Sequence, residues 1–123
     1  MKNKILFLAA VFFLLIGKAD AQYCTNDARY TEVQFFDSTE ITVGTNIPYG
    51  IAQDVLGNPD TLLMDLYYPN LAIDTSPKRP FIILFHGGGF SSGDKQSGDI
   101  RDLCIHLALR GFVAACAKVS AFT

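Results

Sequence analysis

The stretch that decides the fold is Phe81-Ile82-Ile83-Leu84-Phe85, which continues into His86-Gly87-Gly88-Gly89-Phe90. Five consecutive apolar residues without polar alternation predict a strand that is buried on both faces of a largely parallel sheet. The three glycines that follow leave the backbone without side chains, so its N–H groups can approach a ligand closely. N–H donors held around a developing negative oxygen form an oxyanion hole. The stretch therefore predicts a buried strand that leads into a ligand-binding loop.

A helix and a second apolar strand follow this loop. Apolar residues recur at helical spacing over residues 100–108, and Ser97 or Asp99 can cap the start of the helix. Gly111 favours its end, and Phe112–Ala117 predicts another buried strand. Strand, loop, helix and strand together predict one βαβ unit with a right-handed crossover. The glycine loop would then lie at the carboxyl end of a parallel strand, where open α/β sheets bind ligands.

The residues before this unit favour strands joined by turns. The strands predicted there are Thr31–Phe35, Glu40–Val43 and Thr61–Tyr68, with turns at Gly44–Asn46 and Asp54–Asp60 and a surface loop over Asn70–Pro80. We therefore expect an α/β fold, in which a mixed sheet has antiparallel first strands and then the βαβ unit. In a chain of this length, such a sheet would keep an exposed apolar edge, because parallel strands need covering on both faces.

The N-terminus has the features of a secretory signal peptide. A short basic start, Met1–Lys4, precedes the apolar run Ile5–Ile16, and Lys18–Ala21 supplies a small-x-small cleavage pattern. The apolar run is shorter than the roughly 20 residues that a membrane-spanning helix needs. We therefore expect residues 1–21 to be removed by cleavage between Ala21 and Gln22. The remaining chain, 22–123, is expected to be secreted or periplasmic and to have no membrane anchor.

Charge and cysteine content restrict the possible partners. The chain has 10 basic and 12 acidic residues, a net charge of −2, and its basic residues are not clustered. This distribution argues against nucleic acid as a partner, because binding phosphates needs clustered Lys and Arg. The three cysteines allow one disulfide and one free thiol, or no disulfide at all. Because Cys104 and Cys116 lie among apolar neighbours, we expect both to be buried free thiols. No zinc-ligand spacing is present, and we expect neither a metal nor a cofactor.

A second motif overlaps the glycine loop. Residues 89–93 match the letters G-x-S-x-G of a nucleophile elbow, which would make Ser91 the nucleophile. In an elbow, however, one sharp strand-to-helix turn exposes the serine. Here the glycine triplet intervenes between the strand and Ser91, and the helical pattern begins several residues later. We interpret the match as coincidental.

Several segments together resemble the start of an α/β-hydrolase esterase. They are Leu63–Pro69, Lys78-Arg79-Pro80, the apolar strand, His86–Asp94 and Leu107–Ala115. The pattern is similar to carboxylesterases, to the lipase and acetyl-esterase group related to hormone-sensitive lipase, and to bacterial feruloyl and acetylxylan esterases. Residues 22–123 would accordingly be the N-terminal part of an α/β-hydrolase domain.

The resemblance also implies roles for individual residues. The backbone N–H groups of Gly88 and Gly89 would bind the oxyanion, Gly87 would give the turn, and His86 would support the loop. Asp94 would either tie the loop to the following helix or serve as a turn or capping residue. His106 lies within the helix pattern, away from the loop, and is interpreted as structural.

The chain departs from the family after its last strand. Family members carry an Asp/Asn-Tyr-Arg-like segment there, whereas this chain has Lys118–Thr123. The family's nucleophilic serine, acid and histidine come later in the chain than this point. We therefore expect the front part of a longer hydrolase, inactive by itself, with the oxyanion-binding half of the site and without the triad.

Three functions remain open at this stage. The first is a carboxylic-ester hydrolase that acts on a small-molecule or carbohydrate-linked ester by serine acylation. The second is a non-catalytic remnant or binding module. The third is a peptidase of the prolyl-oligopeptidase type, which shares the fold. The His-Gly-Gly-Gly loop favours the esterase over the peptidase.

Overall fold

A computed structural model describes residues 27–54, 56–88 and 93–120. These residues form one four-stranded mixed sheet with one α-helix packed on it. The elements are β1 (Ile41–Gln53), β2 (Pro59–Pro69), β3 (Phe81–Phe85), α1 (Gly98–Ala108) and β4 (Val113–Ala117), preceded by a 3-10 turn at Ser38–Glu40. The strand order is β1-β2-β4-β3. The expected α/β class with a mixed sheet is confirmed. The proposed signal peptide, residues 1–21, lies outside the described residues.

β1 and β2 form a long antiparallel hairpin whose register runs from Ile41 opposite Pro69 to Gln53 opposite Pro59. The turn that joins them is stabilised by Asp54, whose Oδ1 accepts hydrogen bonds from two backbone N–H groups of the turn, at 2.9 and 2.8 Å. The expected turn in this region is confirmed.

The expected turn at Gly44–Asn46 is wrong, because β1 continues through it. The register shifts between Gly44 and Ile47, so the strand accommodates these residues as an irregularity of the β-bulge type. Asn46 takes a positive φ of 54° there, and its N–H donates to Asp65 Oδ1 across the hairpin. The turn-favouring residues therefore bend the strand without ending it.

The βαβ unit is confirmed. β3 and β4 pair in parallel, with Phe81 opposite Val113 and Phe85 opposite Ala117. β4 lies between β3 and β2 and pairs antiparallel with β2. The helix ends before Gly111, whose φ of 97° suits a glycine after a helix C-terminus.

The core lies between α1 and one face of the sheet. Its buried residues are Tyr67, Cys104, Ala108, Ala114 and Cys116. Cys104 and Cys116 form a disulfide, so the expectation of two free thiols is wrong. The crossover places the helix directly over the strand that follows it and brings the two Cα atoms to 6.6 Å, within the range that a disulfide spans.

Burial of β3 on both faces is also wrong. Phe81, Ile83 and Phe85 are 51%, 46% and 54% exposed, whereas Ile82 and Leu84 are half-buried. Within the described residues β3 lies at the sheet edge, and α1 packs against the face to which Leu84 contributes. The expected exposed apolar edge is therefore confirmed.

The segment before β1 is irregular, so the predicted strand Thr31–Phe35 is absent. Its backbone N–H groups bond instead to the end of the helix: Tyr30 donates to the Arg110 carbonyl, and Phe35 and Phe36 both donate to the Leu109 carbonyl. Among the described residues, no helix is both long and apolar enough to cross a membrane.

The loop over residues 70–80 is confirmed, and a buried aspartate organises it. Asp74, only 4% exposed, accepts a hydrogen bond from Arg79 Nε at 2.6 Å and one from Arg29 Nη1 at 3.0 Å. Its Oδ1 also accepts one from the Ser76 N–H. The guanidinium groups of Arg29 and Arg79 therefore hold the loop that leads into β3 through Asp74.

Candidate functional site

The glycine loop connects β3 to α1 and begins at the carboxyl end of β3. β4 ends at the same edge of the sheet, since Phe85 is opposite Ala117 in a parallel pair. This edge is where α/β sheets bind ligands. The structure therefore places His86, Gly87 and Gly88 at the expected position.

The backbone of the loop uses glycine where glycine is needed. Gly88 and Gly93 have φ values of 134° and 124°, which side-chain-bearing residues rarely adopt. Gly87 is not among the positive-φ glycines of the described residues, and a Cβ atom built on it would meet nothing within 4 Å. The turn that was expected at Gly87 therefore uses a positive φ at Gly88 instead. Gly89 and Ser91, the second proposed oxyanion donor and the unlikely nucleophile, lie outside the described residues.

His86 and Gly93 hold the two ends of the loop together. The His86 Nδ1 lies 2.9 Å from the Gly87 carbonyl oxygen, which can only accept, so Nδ1 carries the proton in this contact. A Cβ on Gly93 would overlap the imidazole Nδ1 and lie 2.5 Å from the same carbonyl oxygen. The close approach of the Gly93 backbone to His86 therefore requires a glycine. From the sequence, Gly93 stands out only as part of the overlapping G-x-S-x-G motif, and its contact with His86 is not apparent.

The other ring nitrogen of His86, Nε2, differs in its hydrogen bonding. Nε2 is buried and has no hydrogen-bond partner among the described residues. With Nδ1 protonated, neutral imidazole carries its lone pair on Nε2. A buried acceptor without a partner is uncommon, and a donor is expected to satisfy it. In His86, Nδ1 is thus hydrogen-bonded to the Gly87 carbonyl, and Nε2 is an acceptor without a donor among the described residues.

A buried ion pair, which the sequence analysis did not identify, ties the loop to the sheet. Lys95 Nζ lies 2.6 Å from Asp65 Oδ1, and the two residues are 7% and 1% exposed. The Asn46 N–H donates to the same carboxylate oxygen at 2.8 Å. A signal was present in the sequence, because Asp65 interrupts an apolar strand and a buried charge needs a partner.

The environment of Asp65 keeps it ionised. Burial raises the pKa of Asp65, but hydrogen bonds from Lys95 and from the Asn46 N–H, together with the positive charge of Lys95, outweigh burial. The pKa of Asp65 therefore lies below its ordinary value. The pair is an ionised contact between β2 and the end of the glycine loop.

Asp94 forms a local turn. Its Oδ1 accepts a hydrogen bond from the Gln96 N–H at 2.8 Å, and its carbonyl accepts one from the Ser97 N–H at 3.0 Å. These contacts lead the chain into α1, which begins at Gly98. Asp94 is therefore a turn residue and also links the loop to α1, so the two roles considered for it occur together.

The remaining chemistry-bearing residues do not join the loop. His106 is exposed on α1, and its carbonyl accepts a hydrogen bond from Arg110. In the described ranges, neither histidine is hydrogen-bonded to a serine hydroxyl, and no cluster of His, Cys, Asp and Glu could hold a metal ion.

Chemically, the site is a side-chain-free stretch of backbone at a ligand-binding edge. The close approach of His86 and Gly93 brings together the residues on either side of positions 89–92, and the Asp65–Lys95 pair holds the residues that follow. Backbone held in this way can bind an anionic or polarised oxygen without reorganisation. Comparison of the chain with protein-family models, with curated proteins and with solved structures finds no match.

Proposed function

We propose that this chain carries the oxyanion-binding loop of a secreted carboxylic-ester hydrolase of the α/β-hydrolase type. The observation that carries the proposal is the position of Gly87 and Gly88 directly after β3, at the edge where the parallel strands β3 and β4 end. The resemblance of His86–Asp94 to the esterase loop supplies the chemistry. The substrate would be a small-molecule or carbohydrate-linked ester.

In this proposal the loop acts on the tetrahedral intermediate. A serine attacks the ester carbonyl with the help of a histidine base, and the carbonyl oxygen becomes negative. The N–H groups of Gly88 and Gly89 bind that oxygen, and His86 supports the loop through its Nδ1 hydrogen bond to the Gly87 carbonyl. The family places the serine, acid and histidine later in the chain than these residues. The disulfide between Cys104 and Cys116 supports export, because disulfides persist in oxidising compartments.

The first experiment asks whether Ser91 is a nucleophile. The 123-residue chain and its Ser91→Ala variant are assayed with p-nitrophenyl acetate. We expect no turnover above that of the variant. Hydrolysis that depends on Ser91 would show that the overlapping G-x-S-x-G motif is functional and would contradict the assignment of the loop to oxyanion binding alone.

The second experiment tests the esterase itself. The DNA after the Thr123 codon is translated in all frames. A Tyr-Arg segment and then a G-x-S-x-G at a strand end are expected, and their absence would overturn the proposal in favour of a non-catalytic binding module.

Where these segments are found, the joined reading frame is expressed and assayed. Alanine at position 88 keeps the N–H but disfavours the φ of 134°, so Gly88→Ala should displace this donor and lower kcat on p-nitrophenyl acetate by up to about 10²–10³, the usual effect of losing one oxyanion donor. Gly98→Ala is the matched control, since a Cβ there meets nothing within 4 Å. Faster turnover of prolyl-peptide amides than of esters would favour the peptidase.

A further inference from the structure

A second concavity lies between the β1–β2 hairpin and α1, on the helix-covered face of the sheet. Its volume is about 410 Å³, which falls in the size range of small-molecule sites. Apolar side chains of Ile41, Val43 and Ile105 line it together with Thr45, Tyr67 and Arg101. Gln96, from the end of the loop between β3 and α1, also lines it, but none of the loop's glycines does. The concavity is called the hairpin–helix cavity below.

A polar side chain in the hairpin–helix cavity is left without a partner. Tyr67 is 6% exposed, and its hydroxyl forms no hydrogen bond to any described residue. The hydroxyl is not one of the buried unpartnered polar atoms of the described residues, so it is accessible and can donate a hydrogen bond to a ligand in the cavity. Asp65 also lines the cavity, but Lys95 and the Asn46 N–H already engage its carboxylate. The interior therefore offers one free hydroxyl and no unbalanced negative charge.

The cavity also has a cation without a counterion. Arg101 lies on the exposed side of α1, and no carboxylate of the described residues forms an ion pair with it. Glu40, which is close in sequence to the lining residues, is occupied, because its Oε2 accepts a hydrogen bond from the Asp37 N–H. The guanidinium thus gives the cavity a net positive charge and a fork of donors that matches a carboxylate.

We propose that the hairpin–helix cavity binds a small carboxylate with an apolar body. The carboxylate pairs with the Arg101 guanidinium, the apolar body packs against Ile41, Val43 and Ile105, and the Tyr67 hydroxyl supplies a hydrogen bond from the interior. This ligand class satisfies each unpartnered group of the cavity at once. The site is independent of the proposed ester hydrolysis and requires no nucleophile.

The binding experiment uses the 123-residue chain and two matched probes. 3-Phenylpropanoate carries both required features, and 3-phenylpropanamide is a neutral probe of almost the same shape. Each is titrated while amide resonances are followed by ¹H–¹⁵N NMR. We expect saturable shifts at cavity residues with the carboxylate, and binding of the amide at least about tenfold weaker, because a charge-assisted contact is lost. Equal affinities, or no saturable shift with the carboxylate, would overturn the proposal.

Single substitutions test which residues contact the ligand. Arg101→Gln removes the cation at an exposed position and is expected to weaken 3-phenylpropanoate binding about tenfold or more. Lys78→Gln, which makes the same change of net charge on an exposed residue outside the cavity, should leave binding unchanged. Tyr67→Phe keeps the ring and should weaken binding severalfold. If Arg101→Gln and Lys78→Gln bind equally well, the cavity is not the site.

Discussion

The loops at the two ends of β3 are both held by a buried aspartate, but in different ways. In the loop over residues 70–80, Asp74 belongs to the loop itself and binds two arginines, of which Arg79 is only five residues away. In the loop after β3, Asp65 comes from strand β2 and binds Lys95, 30 residues away. The first loop is held partly from within, by Arg79, and partly by Arg29, which is 45 residues away, whereas the second is tied to the sheet near its end.

The two loops differ in where their charged side chains lie. Between β3 and Lys95, the described residues are held by the His86–Gly93 contact and by backbone geometry at Gly88. Residues 86–93 of this loop include no aspartate, glutamate, lysine or arginine, and its charged residues, Asp94 and Lys95, come at its end. In the entry loop, by contrast, Asp74 and Arg79 form an ion pair within the loop, and Arg29 reaches Asp74 from outside it. The exit loop is thus held by the His86–Gly93 contact and by Lys95, whereas the entry loop is held at Asp74.

The largest expected effect comes from breaking the pair that holds the exit loop. Asp65→Asn leaves the Lys95 ammonium buried without a counterion and should lower the free energy of unfolding by about 3–5 kcal/mol. Urea unfolding followed by circular dichroism measures it. Replacing both residues, Asp65→Leu with Lys95→Met, should recover most of the loss, because no buried charge remains.

The matched control is Asp60→Asn. Asp60 and Lys118 also form an ion pair, at 2.7 Å, but their side chains are 25% and 41% exposed. Its removal should cost no more than about 1 kcal/mol. Equal losses in the Asp65 and Asp60 variants would show that burial of the pair does not matter.

A smaller effect is expected from the entry loop. Asp74→Asn weakens charge-assisted hydrogen bonds from Arg29 and Arg79 and should cost about 2–3 kcal/mol. The loss is smaller than for Asp65 because the arginine side chains are 18% and 12% exposed and can reach water. The same urea measurement checks it. A loss larger than that of Asp65→Asn would reverse the comparison between the two loops.

Gly93→Ala tests the contact at the glycine-rich part of the exit loop. The added Cβ would overlap the His86 imidazole in a backbone conformation that alanine avoids, so the cost should be about 1–3 kcal/mol. The imidazole resonances of His86 should also move in NMR spectra. Gly98→Ala, whose Cβ meets nothing, should leave these resonances in place. Unmoved His86 resonances in Gly93→Ala would contradict the contact.

The smallest expected effect is on the pH dependence of stability. The pKa of Asp65 is lower in the folded chain than its ordinary value, so its contribution is complete above about pH 4 and is lost as the pH falls through the folded pKa. Stability measured against pH should therefore decline less steeply below pH 4 in Asp65→Asn than in the unchanged chain. Asp54→Asn provides the comparison. The hydrogen bond from the Asn58 N–H outweighs desolvation and lowers the pKa of Asp54, and this half-buried residue lies in the β1–β2 turn, far along the chain from the loop. A slope unchanged in Asp65→Asn would contradict the role of the pair.

The sequence predicted what depends on neighbours along the chain. The uninterrupted run Phe81–Phe85, the helical spacing up to Ala108 and the apolar run that ends at Ala117 each form the predicted element. The predictions that were wrong depended on distant residues. The pattern of Phe81, Ile83 and Phe85 does not reveal that, in the described part of the chain, no helix covers one sheet face. The turn-favouring residues at Gly44–Asn46 do not reveal a partner strand that holds the bulge in place.

The sequence by itself therefore determined the βαβ unit and the position of His86-Gly87-Gly88 at the end of a strand, because hydrophobic periodicity and glycine act locally. Only the tertiary structure decided that Cys104 pairs with Cys116, that Lys95 pairs with Asp65, and that the cavity beside Tyr67 is open. These features join residues from different elements. Their distances are set by how the hairpin, the helix and the parallel strands pack, which no local pattern of residues specifies.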